Sequence, residues 1–183
     1  MSLTLPANEP ISAAKIVVAG GPGAGTTTFI DSVSDIKSRP TEPVAMDFGH
    51  TALGDDLQLY LFGAPDKEQF RFMWGGLVRG AVGAVVLVDS RHVAAASTAI
   101  SFLEAHRTPY VIVVNLFDEV DQLPDKSIRE GLALARRVPI LRCDVRRTTE
   151  VKETILGLVD YALETLDLFE ADRFTVGETA EEA

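Results

Sequence analysis

The chain holds a single cysteine, Cys143, in 183 residues, which excludes a disulfide framework and a cysteine-based metal cluster. Basic residues are scarce: 17 Lys and Arg stand against 27 Asp and Glu, for a net charge of −10. That balance argues against the phosphate backbone of nucleic acid as a partner. No apolar run approaches the roughly 20 residues needed to cross a membrane. The opening Met-Ser-Leu-Thr-Leu-Pro-Ala-Asn-Glu-Pro lacks both the basic region and the apolar core of a signal peptide. His50, His92 and His106 are scattered and form no metal set. A cytoplasmic protein without direct membrane insertion is expected. Length and a 46 % hydrophobic content suit one domain with a full core. Residues 1–14 read as a flexible lead-in, 15–168 as the domain and 169–183 as an acidic mobile tail.

One further absence matters most. Residues 16–30 run from an apolar β stretch through Gly20, Gly21, Pro22, Gly23, Ala24 and Gly25 into Thr26, Thr27 and Thr28, then an apolar helix-like segment. A phosphate-binding loop spaces two glycines by four residues and follows them with Lys and then Ser or Thr. Gly20 and Gly25 have that spacing, and Thr27 stands where a magnesium-holding hydroxyl belongs. Thr26 occupies the lysine position. Glycines let successive N–H groups turn inward on a phosphate, and the positive end of the following helix adds to them. Thr26 can donate a hydrogen bond but brings no charge to the β- and γ-phosphates. Phosphoryl transfer, which rests on positioning and charge neutralisation, should suffer more than binding. The alternative is a glycine-rich strand-to-helix turn that holds no ligand.

Beyond this loop, strand and helix signals alternate. Val44, Met46 and Phe48 alternate with less apolar residues, as do Leu57, Leu59 and Leu61, and Leu53-Gly54-Asp55-Asp56 between them predicts a hairpin. Continuous apolar runs at 84–88, 110–114 and 138–141 suit parallel strands covered on both faces. Helical spacing joins Phe70, Met73, Trp74 and Leu77, then Val93, Ala96, Ile100 and Leu103, and finally Val151, Ile155, Leu158, Val159, Ala162 and Leu166. The order predicts an α/β fold: a mixed six-stranded sheet, five strands parallel and one antiparallel, with helices on both faces. Ligands then sit beyond the carboxyl ends of the parallel strands.

Asn115-Leu116-Phe117-Asp118 follows the run ending at Val114. The Asp118 carboxylate can accept two hydrogen bonds from the N1–H and 2-amino edge of guanine, a donor pair that adenine lacks. Asn115 can brace the loop and touch the base, and Leu116 can cover it. Taken alone, Asn-x-x-Asp also describes an ordinary structural turn. Cys143-Asp144-Val145 follows the last strand, where backbone N–H groups could meet the guanine carbonyl.

These segments resemble the small Ras-like GTPases, and more closely the bacterial branch encoded in actinobacterial conservons and known as ATP/GTP-binding proteins. The likeness rests on Val-Val-Ala-Gly-Gly at 17–21, Ser-Val-Ser-Asp-Ile at 32–36, Val-Ala-Met-Asp-Phe-Gly at 44–49, Leu-Tyr-Leu-Phe-Gly at 59–63, Phe-Met-Trp at 72–74 and the stretch from Leu77 to Asp89. It implies a P-loop NTPase G domain that binds GTP or GDP with Mg2+, acting as a switch. It also implies a roadblock-type protein partner and a membrane sensor complex.

The chain departs from that family in three places. Thr26 replaces the loop lysine. Gly63-Ala64-Pro65-Asp66 stands where Asp-x-x-Gly is expected, so Asp66 replaces the glycine that senses the γ-phosphate. Lys67 stands where a glutamine would orient the attacking water; it could reach back to the phosphates or simply begin a solvated helix. The flanks of a long mobile loop abut at Pro43–Val44, so no switch threonine is assigned. Two readings follow: a guanine-nucleotide switch with slow or lost hydrolysis, or a pseudo-GTPase scaffold acting through protein partners. ATP specificity is a third reading, which Asp118 opposes.

Overall fold

Apolar residues alternate between two cores along each central strand, and that alternation builds a three-layer domain. The computed structural model describes residues 12–36, 46–54, 57–118 and 120–177, with side chains to 166. Its strands are β1 (Ser12–Gly20), β2 (Phe48–Leu53), β3 (Leu57–Gly63), β4 (Gly83–Val88), β5 (Tyr110–Asn115) and β6 (Ile140–Cys143). Its helices are α1 (Thr26–Val33), α2 (Trp74–Val78), α3 (Ser97–Ala105), α4 (Asp125–Gly131) and α5 (Thr148–Gly177), with 3-10 turns at Glu68–Met73 and Val93–Ala96. The sheet order is β2-β3-β1-β4-β5-β6, and only β2 runs antiparallel to its neighbour. This is the expected mixed sheet.

Ile16, Val18, Val85, Leu87, Val111 and Val113 face Phe29, Ile30 and Val33 of α1 and Val151, Ile155 and Leu158 of α5. The intervening Val17, Ala19, Val86, Val88, Ile112 and Val114 face Trp74, Leu77, Ile100, Leu103 and Ile128 on the other side. Because strands 1, 3, 4, 5 and 6 run parallel, Gly20, Gly63, Val88, Asn115 and Cys143 end at one edge. β2 runs the other way, so its beginning at Phe48, not its end, reaches that same edge.

Several sequence expectations need adjustment. The Val44–Met46–Phe48 alternation does not mark the strand: β2 starts at Phe48, and its core-facing residues are Gly49 and Thr51. Gly49 is required there, since a Cβ would lie 2.6 Å from the Ile30 side chain. The predicted helix over Phe70–Leu77 is split into a 3-10 turn and a short α2, in which Trp74 and Leu77 are buried and Phe72 is exposed. α4 gave no apolar repeat beyond Ile128 and was not anticipated. β1 already begins at Ser12, inside the stretch read as lead-in. α5 continues to Gly177, into the stretch read as mobile tail, because no proline or glycine interrupts 158–176. Residues 1–11, Val44, the Pro43–Val44 junction, Asp55, Asp56 and residues 178–183 lie outside the described residues.

Candidate nucleotide-binding site

The loop between β1 and α1 closes on itself through a backbone bond from the Ala24 N–H to the Gly21 carbonyl, 3.1 Å. Gly23 and Gly25 adopt left-handed φ values of 75° and 105°, which residues with a side chain resist. Gly25 is the N-cap of α1, and no acidic residue occupies the first turn of that helix. Its leading N–H groups therefore keep their partial positive charge. Above them lies a cavity of about 530 Å³, lined by Gly20, Gly21, Gly23, Ala24, Gly25, Thr26, Thr27 and Thr28 together with Asp47, Gly63, Ala64, Pro65 and Asp66. Nearly all residues expected to bind phosphate thus line one space; Pro22 is exposed beside it.

Among the described residues, the charged side chains of that lining are Asp47 and Asp66, with no Lys, Arg or His. Lys67 is exposed and does not line the cavity. Of its two readings, the start of a solvated helical turn fits its place before the 3-10 turn at Glu68, and a reach back to the phosphates does not. Asp47 had no role assigned from sequence, yet its Oδ2 accepts a 2.7 Å hydrogen bond from Thr27 Oγ1. The signal was available in the antiparallel sense of β2, which brings the residue before Phe48 to the ligand edge. Gly63 makes the approach possible: its N–H donates to the Asp47 carbonyl at 2.8 Å, and a Cβ there would lie 2.9 Å from that of Asp47.

A second group of residues sits at the ends of β5 and β6. Asn115 is 2 % exposed, and its Nδ2 donates to the Ala24 carbonyl at 3.0 Å. It braces the phosphate loop from behind. Asp118 is exposed, and both its oxygens accept from Arg146, at 2.6 Å from Nη1 and 3.0 Å from Nη2. The same guanidinium donates to Asp144 through Nε and Nη2, each at 2.8 Å. Arg146 therefore holds the Asp118 and Asp144 carboxyls below the usual carboxylate range. Arg146 itself was missed from sequence, since it falls just past the Cys143-Asp144-Val145 stretch.

Those three residues do not behave as expected. Cys143 is fully buried, so its side chain cannot touch a base, and its carbonyl accepts from the Leu116 N–H at 2.9 Å. The Asp144 N–H donates to Glu150 Oε2 at 2.8 Å, and the Val145 N–H points to Asn115 Oδ1 at a long 3.5 Å. Leu116 is partly exposed, as a cover over a base requires, and the neighbouring Phe117 ring lies 4.7 Å below the Arg91 guanidinium. Arg91 in turn pairs with the nearly buried Asp89 at the end of β4, which closes that side of the loop.

Comparison with known proteins gives a family and a fold. A family model described as "conserved hypothetical ATP binding protein" matches residues 36–165, a span that begins after the phosphate loop. An uncharacterised protein of Methanocaldococcus jannaschii is 29 % identical over 113 residues, covering 58 % of this chain and 72 % of that protein. The Arl6 (BBS3) small GTPase of Trypanosoma brucei, solved with the nucleotide analogue GppNp, superposes with a TM-score of 0.65 at 19 % identity. It covers 84 % of this chain and 99 % of that one. The G domain of the T. maritima FeoB iron transporter superposes with a TM-score of 0.62 at 17 % identity, over 82 % of this chain and 99 % of that one. Those two likenesses are of fold.

Proposed function

Since the chain belongs to the family of conserved hypothetical ATP-binding proteins and has the G-domain fold, we propose that it is a guanine-nucleotide-binding, GTPase-like regulatory switch whose hydrolysis is weak or lost. One observation carries this reading. The first turn of α1, unneutralised and led by left-handed glycines, faces a cavity in which a threonine hydroxyl and a carboxylate meet at 2.7 Å.

Thr27 and Asp47 together offer the hard oxygen donors that magnesium prefers. The two would hold the ion, and the loop N–H groups of Gly23 and of Gly25 to Thr28 would cradle the phosphates. Magnesium, when bound, supplies positive charge against the phosphate oxygens. This chain's own residues supply the rest: Asn115 fixes the loop, Leu116 covers the base, and Asp118 selects guanine over adenine. Asp118 is the reason to prefer guanine although the family's description names ATP.

Weak hydrolysis follows from the lining. Among the described lining residues, phosphate charge has no side-chain cation to meet it, and Asp66 adds a negative charge on the γ-phosphate side. The same pair of carboxylates favours a second reading, a pseudo-GTPase scaffold that turns over no nucleotide. The roadblock-type partner, the membrane sensor complex and recruitment to a membrane belong to either reading through resemblance alone. Among the described residues no helix is long and apolar enough to cross a membrane.

The test is calorimetric titration of the nucleotide-stripped protein with GDP, GTP and ATP in the presence of magnesium. Micromolar or tighter guanine binding with weaker ATP binding is expected. Absence of all three heats would leave the scaffold reading standing in its place.

A further inference from the structure

Arg146 makes a fork-on-fork contact with Asp118: Nη1 donates to Oδ2 at 2.6 Å and Nη2 to Oδ1 at 3.0 Å. A carboxylate presents one outward edge on which two parallel donors can land together. Guanine would use that edge through N1–H and its 2-amino group. The guanidinium already occupies it.

We propose that Arg146 is a latch on the base site, which competes with guanine for the two oxygens of Asp118 and must release them when guanine enters. The inference rests on the reading of Asp118 as the guanine-selecting carboxylate.

The rest of the cluster decides which contact opens. Asp144 is 13 % exposed at its side chain, whereas Asp118 is 76 % exposed. Asp144 binds the guanidinium through two bonds of 2.8 Å and also accepts from the Arg146 N–H at 3.1 Å. Arg147 Nε also approaches Asp144 Oδ2, at 3.6 Å. Arg146 is thus anchored at the sheltered carboxylate and attached to the solvated one. Letting go of Asp118 leaves the guanidinium still paired. Adenine offers no donor pair for Asp118 and has no need to open the latch. Arg146 therefore lowers guanine affinity selectively and narrows the preference that Asp118 creates.

Titrations of GDP and ADP, with magnesium, into the full chain and its R146A and R146K variants test this. R146A should bind GDP about two- to fivefold more tightly, the range of one exposed ion pair, with ADP unchanged. R146K, which lacks the fork, should fall between and guards against a folding defect in R146A. The gap between wild type and R146A should shrink at high salt, because the contact is exposed. Weaker GDP binding by R146A, or parallel changes for GDP and ADP, would overturn the latch. The D118A variant separates the two levels. Loss of GDP preference in D118A without GDP tightening in R146A defeats the latch alone. An unaltered preference in D118A defeats the base reading and the latch with it. Guanine binding absent from wild type and R146A alike counts against both.

Discussion

The side-chain amide of Asn115 donates to the carbonyl of Ala24, 91 residues earlier, at 3.0 Å. That bond ties the end of β5 to the inside of the phosphate loop, so the base side and the phosphate side of the site are joined directly. Asn115 is 2 % exposed, so water cannot replace it. N115A should lower stability by about 1–3 kcal/mol, the cost of stranding a buried acceptor. A urea midpoint unchanged from wild type would show that the brace holds nothing.

Gly25 is constrained twice. Its φ of 105° is hard for a residue with a side chain, and a Cβ would sit 2.6 Å from Asn115 Nδ2. G25A should therefore destabilise by about 1–3 kcal/mol through strain. The two sites are in contact, so their effects should not add. The G25A/N115A double variant should lose less than the sum of the single losses, and strict additivity in urea denaturation would contradict the contact.

The succession of strands and helices and the glycine loop were legible because both are written locally. Continuous apolar runs mark β4 and β5, the run at 138–141 only overlaps β6, an edge strand with Arg142 exposed, and the spacing of Gly20 and Gly25 marks the turn from strand to helix. What was not legible depends on distance. Asp47 becomes a site residue only once Gly63 is known to leave room for it, although the predicted hairpin already carried the residue before Phe48 to the ligand edge. Arg146 matters only because the sheet brings β5 and β6 side by side, with Asn115 level with Cys143. Lys67 shows the reverse: it is near the cavity in sequence, but in space it begins an exposed helical turn beside it, the plainer of its two readings.

Asp47 carries a direct test of the magnesium pole. D47N keeps the shape of the side chain and the possibility of a hydrogen bond to Thr27, but removes the charge. Magnesium should then enhance nucleotide binding roughly tenfold less than in wild type, as happens when a metal's supporting carboxylate is lost. Equal magnesium dependence in calorimetric titrations of the two proteins would remove Asp47 from the site.

Cys143 gives a pH prediction. Burial pushes its thiol up from the ordinary 9.0 to about 11. The folded chain thus retains a proton that the unfolded chain gives up above about pH 9, so unfolding releases protons there. The stabilisation from this group is full below that pH and falls as pH rises from about 9 to 11. C143A should flatten the fall over that window, although it loses some packing at every pH. Chemical denaturation at pH 7.5 and pH 10 reads the slope, and identical slopes in both proteins would show that Cys143 does not titrate as inferred. The thiol should also resist alkylation until the chain unfolds.

The cavity's charge balance gives the last prediction. Among the described residues, its lining brings two carboxylates, Asp47 and Asp66, and no cationic side chain to a triphosphate. T26K adds the missing charge at the head of α1, where a helix end already favours anions. A hydrogen bond to a charged partner is worth about 1.5–3 kcal/mol, so GTP should bind about ten- to a hundredfold more tightly with magnesium present. GDP should gain less, because the added ammonium serves the terminal phosphate most. Asp66 could hold part of that gain back by pairing with the new lysine, and T26K/D66G should then bind GTP more tightly than T26K alone. If T26K leaves GTP affinity unchanged while T26K/D66G raises it, the limiting residue is Asp66. If neither variant responds, the cavity does not receive the phosphates, and the protein acts as a folded scaffold.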